Sequence, residues 1–193
     1  MAIKRYLSVK LESLEQEKAA LEYYLRHHKT EDKVEKLLET PGFRELLAPY
    51  FAPKSKELYD WMQEPYERSM AFPQNLCFKT SSGNVVRSKS EAMIDMHLYM
   101  HRIPFRYECA LSLEETVVFP DFTIRHPETG DLYYWEHHGL MDDPAYCKKA
   151  FWKQQQYAQQ GIIPSINLIT TYETKENPLN SEMIEKIISY YFL

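Results

Sequence analysis

Three strand-type segments follow one another between residues 105 and 138, and apolar side chains occupy both faces of each. They are FRYECALSL at 105–113, VVFPDFTIRH at 117–126 and LYYWEHH at 132–138. A strand with apolar residues on both faces must be covered on both, so these segments predict the interior of a sheet. The chain has 193 residues, 44% of them hydrophobic, which is enough to build one such covered domain.

Helical patterns surround these strands. Residues 88–102, 144–160 and 181–191 have helical periodicity, and IIPSINLITT at 162–171 predicts a further buried strand. The chain order is therefore helix, three strands, helix, strand and a closing helix. This order predicts an α/β fold with a mixed central sheet flanked by helices.

The N-terminal part of the chain has a different pattern. Leucines at 7, 11, 14, 21 and 25, with Lys18 in the remaining position, form the leucine seam of a helix with about three heptads. A second helix is expected over 30–40, and the proline-containing region 43–75 is interpreted as a connection. We therefore predict an N-terminal helical extension, 1–75, and a main domain, 76–193. Two uses of the leucine seam stay open: contact with a second copy or a protein partner, and an intramolecular helical hairpin.

Composition limits the classes of function. The net charge of −5 excludes a strongly basic nucleic-acid coat, although it permits a local basic groove. Residues 85–193 contain 10 basic and 15 acidic side chains, so the acidic excess lies in the main domain. Three scattered cysteines, the lack of a signal-peptide pattern and the lack of an apolar run near ~20 residues predict a reduced, cytoplasmic protein that does not enter a membrane.

Four ionisable residues occupy positions where the periodicity calls for apolar side chains. Glu91 lies on the inward stripe of the first helix of the main domain, and Asp121 interrupts the second strand next to Pro120. Glu136 interrupts the third strand, and Lys153 lies on the inward stripe of the next helix. Taken singly, Glu91 is explained as a first-turn acid and Lys153 as a snorkelling surface lysine. The coincidence of all four favours a common site.

Inward charges are costly unless they are paired or bound to a metal. Three converging carboxylates repel one another, and a bound divalent cation is the simplest way to offset this repulsion. Because the ligands are carboxylates and no thiolate cluster accompanies them, the sequence favours Mg²⁺ or Mn²⁺ as the cofactor.

Residues 88–170 resemble the PD-(D/E)xK nuclease superfamily, which includes many restriction endonucleases and Holliday-junction resolvases. The matching pieces are Glu91 in SKSEAMI, Pro120-Asp121 in PDFTI and Glu136 in YYWEHHG. The resemblance implies a restriction-endonuclease-like core of order α-β-β-β-α-β and a metal-dependent nuclease, with DNA as the expected partner.

One departure from the family pattern concerns its lysine. That lysine normally lies two residues after the second acid, where this chain has His138. Either His138 has taken the role, or the lysine has moved to the following helix as Lys153, which is the interpretation we favour. A third interpretation is that the departure marks an inactive site.

The resemblance also implies roles for individual residues. Asp121, Glu136 and the main-chain carbonyl of His137 are expected to hold the metal, with Glu91 reaching it directly or through water. Lys153 would position the attacking water and stabilise the developing charge. The expected nucleic-acid contacts are Arg87, Lys89, Lys148 and Lys149 on phosphates, and Tyr146 or Tyr157 stacked on a base.

Two alternatives differ in kind from this assignment. Histidines 126, 137 and 138 with Cys147 are a candidate zinc set, although adjacent strand histidines point to opposite faces. The alternative function is a catalytically silent protein of the same fold that acts as a structural or interaction subunit. Convergence of the four inward ionisable residues would favour the enzyme.

Overall fold

The computed structural model describes residues 2–27, 55–114 and 116–193, together with 40, 42–43, 46–47, 50 and 52–53. The chain divides into two compact units, Met1–Leu47 and Ala48–Leu193. The helix expected over 30–40 lies outside the described residues, apart from Thr40.

Five α-helices are found among the described residues. None of them is long and apolar enough to cross a bilayer. Their bounds are α1 Ala2–His27, α2 Lys56–Gln63, α3 Lys89–Met100, α4 Pro144–Gln159 and α5 Ser181–Phe192.

Helix α1 carries the leucine seam. The side chains of Leu7, Leu11, Leu14 and Leu21 are 57%, 59%, 52% and 56% exposed. In the described part of the chain, therefore, most of the surface of these four leucines is left uncovered.

In the ranges that the structure describes, eight short strands form three sheets. Strands β3, β6, β7 and β8 make a four-stranded sheet in that order, in which β7 and β8 are parallel and the other pairs antiparallel. Pairs β1–β2 and β4–β5 are separate two-stranded ribbons. The bounds are β1 Phe78–Lys79, β2 Val85–Val86, β3 Phe105–Tyr107, β4 Leu111–Ser112, β5 Val117–Val118, β6 Phe122–Arg125, β7 Leu132–His138 and β8 Leu168–Tyr172.

Helices cover the four-stranded sheet on both faces. On one face, Phe122 and Trp135 share a hydrophobic cluster with residues of α3 and α5, such as Leu98 and Ile188. On the other face, Tyr134 packs with Tyr157 of α4. The predicted fold class, an α/β fold with a mixed sheet flanked by helices, is confirmed.

The first two strands expected from the sequence are each interrupted. Glu108 has a φ of +46°, in the left-handed region, which ends β3. Pro120, which has no N–H to donate, separates β5 from β6. The outer halves of both segments then pair with each other as β4 and β5. This interruption leaves Asp121 at the start of β6, at one end of the four-stranded sheet.

The last predicted strand begins later than expected. Residues 162–167 form turns, with Ser165 at a φ of +67°, and only Leu168–Tyr172 pairs along β7. Pro164 lies in this turn and lacks the N–H that a central strand needs.

The region expected to be a simple connection packs onto the sheet. Arg106 of β3 donates hydrogen bonds to the Trp61 carbonyl, and its guanidinium lies 4.4 Å from the Trp61 ring and 5.0 Å from the Tyr66 ring. Glu67 accepts a hydrogen bond from the N–H of Ala110. Residues 56–75 therefore fall within the compact unit of the sheet, whereas the sequence placed the boundary at 75/76.

Candidate active site

Antiparallel pairing of β6 with β7 brings the two strand carboxylates together. Phe122 pairs with Trp135, and continuing this register by one residue puts Asp121 opposite Glu136. Side chains alternate along a strand, so both carboxylates belong to the face that α4 covers. Asp121 Oδ2 also accepts a hydrogen bond of 2.7 Å from the backbone N–H of His137. The strand pairing thus fixes the carboxylate positions.

Lys153 reaches this site from α4. Its Nζ lies 2.7 Å from Glu136 Oε1 and donates a hydrogen bond of 2.8 Å to the Phe119 carbonyl oxygen. The Glu136 side chain is only 4% exposed, and that of Lys153 is 27% exposed. Burial by itself would lower the pKa of Lys153, but the carboxylates of Glu136 and Asp121 raise it above its usual value. Lys153 is therefore a cation at neutral pH.

Tyr157 lies one turn beyond Lys153 and also binds Glu136. Its hydroxyl donates a hydrogen bond of 2.6 Å to Glu136 Oε1, and the residue is fully buried. Burial, followed by the Glu136 charge, raises the pKa of Tyr157 far above its usual value. The expected stacking of Tyr157 on a base is corrected, because its ring is packed in the core and offers no free face to a ligand.

The negative charge of Asp121 is less well compensated by neighbouring groups than that of Glu136. Burial, and next the charge of Glu136, raise its pKa well above the usual range, and Glu91 adds to this effect. Lys153 and the N–H of His137 act in the opposite direction but do not cancel it. The site therefore holds more negative than positive charge when Asp121 is ionised. Excess carboxylate oxygen donors with a single lysine suit a hard divalent cation.

The Glu91 carboxylate is held at the start of α3 by hydrogen bonds. Its Oε2 accepts hydrogen bonds from the Tyr107 hydroxyl at 2.6 Å and from the Arg87 N–H at 3.0 Å, and its Oε1 accepts one from the Ser88 hydroxyl at 2.9 Å. Both carboxylate oxygens thus have partners within the protein. Glu91 is close enough to raise the pKa of Asp121 but makes no contact with it or with Glu136 that we observe among the described residues.

The two histidines after Glu136 point in different directions. His137 Nδ1 lies 3.0 Å from the Thr171 hydroxyl on the far face of the sheet, so only the main chain of His137 is near Asp121. His138 is buried, stacks on the Tyr172 ring at 5.1 Å and lies 3.2 Å from the Gln154 amide. Burial lowers the pKa of His138, which favours the neutral imidazole at pH 7.

The expected phosphate contacts divide into two groups. Arg87 is held in a two-pronged ion pair with Glu108, with atom separations of 2.5 and 3.0 Å, and also donates a hydrogen bond to the Phe72 carbonyl. The other three basic side chains are exposed: Lys89, Lys148 and Lys149. Arg87 therefore has a structural partner that the sequence did not reveal.

The alternative zinc set does not assemble among the described residues. Cys147 donates to the Met141 carbonyl, and His126 accepts hydrogen bonds from the N–H groups of residues 128 and 129. A different set of possible ligands does meet, with all three ligand atoms within 4.8 Å of one another: His97, His101 and Glu185. Glu91, Asp121 and Glu136 do not form a set of that compactness in the described chain.

Several contributors to the site are not predicted by the sequence. The Phe119 carbonyl and the Tyr107 hydroxyl carry no sequence signal, because their roles follow from the strand interruption and from packing across the sheet. The His97–His101 spacing of four residues is a visible signal, since it puts both rings on one helix face.

Family models, curated proteins and solved structures were all compared with this chain, and none matches it. Its function must therefore be inferred from its own side chains. The strongest chemical feature is the group formed by Asp121, Glu136 and Lys153, which is centred on the buried Glu136.

Proposed function

We propose that this chain is a metal-dependent nuclease that hydrolyses phosphodiester bonds, with DNA as the substrate and Mg²⁺ or Mn²⁺ as the cofactor. The observation that carries the proposal is the pair of strand carboxylates, Asp121 and Glu136, with the Lys153 ammonium 2.7 Å from Glu136. The order of α3, the strands, α4 and β8, together with the PDFTI and YYWEHHG segments, supports a restriction-endonuclease-like core.

The donor types of the site, two carboxylates and a main-chain carbonyl, are those that a hard cation prefers. Asp121, Glu136 and the His137 carbonyl would hold it, and Glu91 would act through water, because its own oxygens already accept hydrogen bonds from Ser88, Arg87 and Tyr107. When bound, such an ion polarises the scissile phosphate and lowers the pKa of a water molecule.

Lys153 supplies the positive charge of the reaction centre. Its ammonium is fixed by Glu136 and by the Phe119 carbonyl, so it is oriented before the substrate arrives. A preoriented cation stabilises the charge that develops on the phosphoryl oxygens in the transition state. His138 is a weaker candidate for this role, because its lowered pKa keeps it neutral.

The other residues hold this arrangement in place. Tyr157 fixes Glu136 by its hydrogen bond, and the His137 N–H fixes Asp121. Lys149 lies one helical turn before Lys153, and Lys148 is its neighbour; both are exposed and available to backbone phosphates. Lys89, at the start of α3, is exposed in the same way.

Cleavage of plasmid and branched DNA in millimolar Mg²⁺ or Mn²⁺ tests the proposal. We expect the wild type to cut and Asp121→Asn to be inactive. Lys153→Met keeps the apolar stem and should lower the rate by at least ~10²-fold, as expected for loss of one electrostatic stabiliser. His138→Ala should cost less, and Lys175→Met, at an exposed lysine outside the site, should leave the rate unchanged.

Two outcomes would contradict this assignment. If His138→Ala abolishes cleavage while Lys153→Met does not, the histidine and not the lysine stabilises the transition state. If the folded wild type cuts neither DNA nor RNA with either metal, and its melting temperature does not respond to them, the chain is a catalytically silent protein of this fold.

A further inference from the structure

We propose that His97, His101 and Glu185 form a second metal site, separate from the nuclease centre, which takes Zn²⁺ or a similar borderline divalent ion. His97 lies on α3, His101 is the C-cap residue directly after that helix, and the glutamate comes from α5. His97 Nδ1 lies 2.6 Å from Glu185 Oε1, and His101 Nε2 lies 2.9 Å from Glu185 Oε2. One carboxylate thus joins two imidazoles across the helix pair.

The spacing of these three atoms suits a tetrahedral ion. With Zn–N and Zn–O bonds of about 2.0–2.2 Å, neighbouring ligand atoms are separated by about 3.3 Å. Glu185 Oε1 lies 2.6 Å from His97 Nδ1 and 3.1 Å from His101 Nε2, and all three ligand atoms lie within 4.8 Å of one another, so modest side-chain movements bring them to this spacing. Two imidazoles and one carboxylate are a typical donor set for Zn²⁺, whereas Mg²⁺ prefers oxygen alone.

Metal binding would require one particular tautomer of His97. Its other ring nitrogen, Nε2, is buried and forms no hydrogen bond within the described chain. A neutral imidazole carries one proton, so an ion at Nδ1 requires that proton to move to Nε2. Nδ1 can then present its lone pair to the metal, but Nε2 has no acceptor among the described residues, so the shifted proton leaves a buried N–H unpaired at a cost that the metal–ligand bonds must exceed.

The site is open on one side. The side chains of His97, His101 and Glu185 are 10%, 28% and 46% exposed, so exposure increases from the first ligand to the last. An ion can enter from solvent and keep a water molecule as its fourth ligand. Because α3 also carries Glu91, an ion at this position would brace the helix that supports the nuclease centre.

Zinc binding by the full chain, stripped of metal beforehand, tests the proposal. We expect one equivalent of Zn²⁺ to bind, and the melting temperature to rise by roughly 5–10 °C at a hundredfold excess over Kd. Co²⁺ in place of Zn²⁺ should give the visible absorption of a tetrahedral complex. Glu185→Gln and His101→Gln, which preserve side-chain size, should each lose both effects.

Two control variants distinguish zinc bound at this site from zinc bound elsewhere on the protein. Glu182→Gln, at an exposed position on the same helix, should bind Zn²⁺ like the wild type. Asp121→Asn should also keep the response even where it abolishes cleavage. The proposal is overturned if the wild type does not bind Zn²⁺, if Glu185→Gln binds as tightly as the wild type, or if Asp121→Asn removes the response.

Discussion

At the scale of single residues, the two strand carboxylates have unequal partners. Glu136 Oε1 receives hydrogen bonds from both Lys153 and Tyr157, which offset the cost of burying its charge. The Asp121 carboxylate receives only the His137 N–H among the hydrogen bonds observed in the described chain, and its pKa is raised by burial and by Glu136. Asp121 is therefore the residue whose ionisation is most costly without a cation.

The pH dependence of stability follows from this raised pKa. Protonated Asp121 stabilises the fold fully below the unfolded pKa, about 3.9, and this contribution is lost as pH rises through the higher folded pKa. Asp121→Asn removes the charge and keeps an oxygen for the His137 N–H. In EDTA near neutral pH, the variant should melt above the wild type by roughly 2–4 °C, equivalent to about 1 kcal/mol.

Thermal denaturation between about pH 4 and pH 8 measures this effect. The difference between variant and wild type should shrink as pH falls through the folded pKa of Asp121. Glu114→Gln, at an exposed carboxylate, serves as the control and should melt like the wild type throughout. A variant less stable than the wild type at neutral pH would show that the Asp121 charge is already compensated.

At the scale of elements, the start of α3 joins a helix cap to the candidate site. Ser88 Oγ accepts the Glu91 N–H at 3.1 Å and donates its own proton to Glu91 Oε1 at 2.9 Å. This reciprocal arrangement resembles a capping box. The same serine therefore stabilises the helix and orients the carboxylate.

Removal of this cap should be measurable as a loss of stability. Ser88→Ala leaves the Glu91 N–H without its acceptor and should lower the free energy of unfolding by about 1 kcal/mol. Ser88→Thr keeps the hydroxyl and should stay close to the wild type. Urea denaturation, with an unchanged m-value, checks both expectations. Equal stability of wild type and Ser88→Ala would show that another group satisfies this helix end.

Elements set by local signals could be predicted, and those set by distant contacts could not. The helices predicted over 88–102 and 144–160 are observed as α3, which Ser88 caps, and as α4, which Gly161 follows at a φ of +72°, because helix ends depend on neighbouring residues. Glu108, in contrast, is paired with Arg87, 21 residues away, where the sequence suggested an uninterrupted strand.

The candidate site likewise has parts that local sequence patterns predict and parts that depend on contacts between distant segments. Strand alternation and helix stripes predict that Asp121, Glu136 and Lys153 share one interior, because each pattern is visible within a few residues. The hydrogen bond from Tyr107 to Glu91 and the cluster of His97 and Glu185 depend on packing between elements. No periodicity in a single segment carries that information.

At the scale of the whole molecule, the described leucines of the seam form an exposed apolar row on α1. Leu7, Leu11, Leu14 and Leu21 are more than half exposed, and they recur at the spacing that a coiled-coil partner would cover. Lys18 occupies the same seam, and its Nζ lies 3.9 Å from Glu22 Oε1 on the same helix. A lysine in this position lowers affinity but can fix register.

We predict that the chain dimerises through this seam. Leu14→Glu would place two facing carboxylates in an apolar contact, where their burial is costly, so the variant should sediment as a monomer while the wild type is a dimer. Gln16→Glu adds the same charge to α1 away from the seam and should remain dimeric. Sedimentation velocity over a range of concentrations measures both. A wild type that stays monomeric at the highest concentration, or equal masses for wild type and Leu14→Glu, would instead favour an intramolecular cover for these leucines.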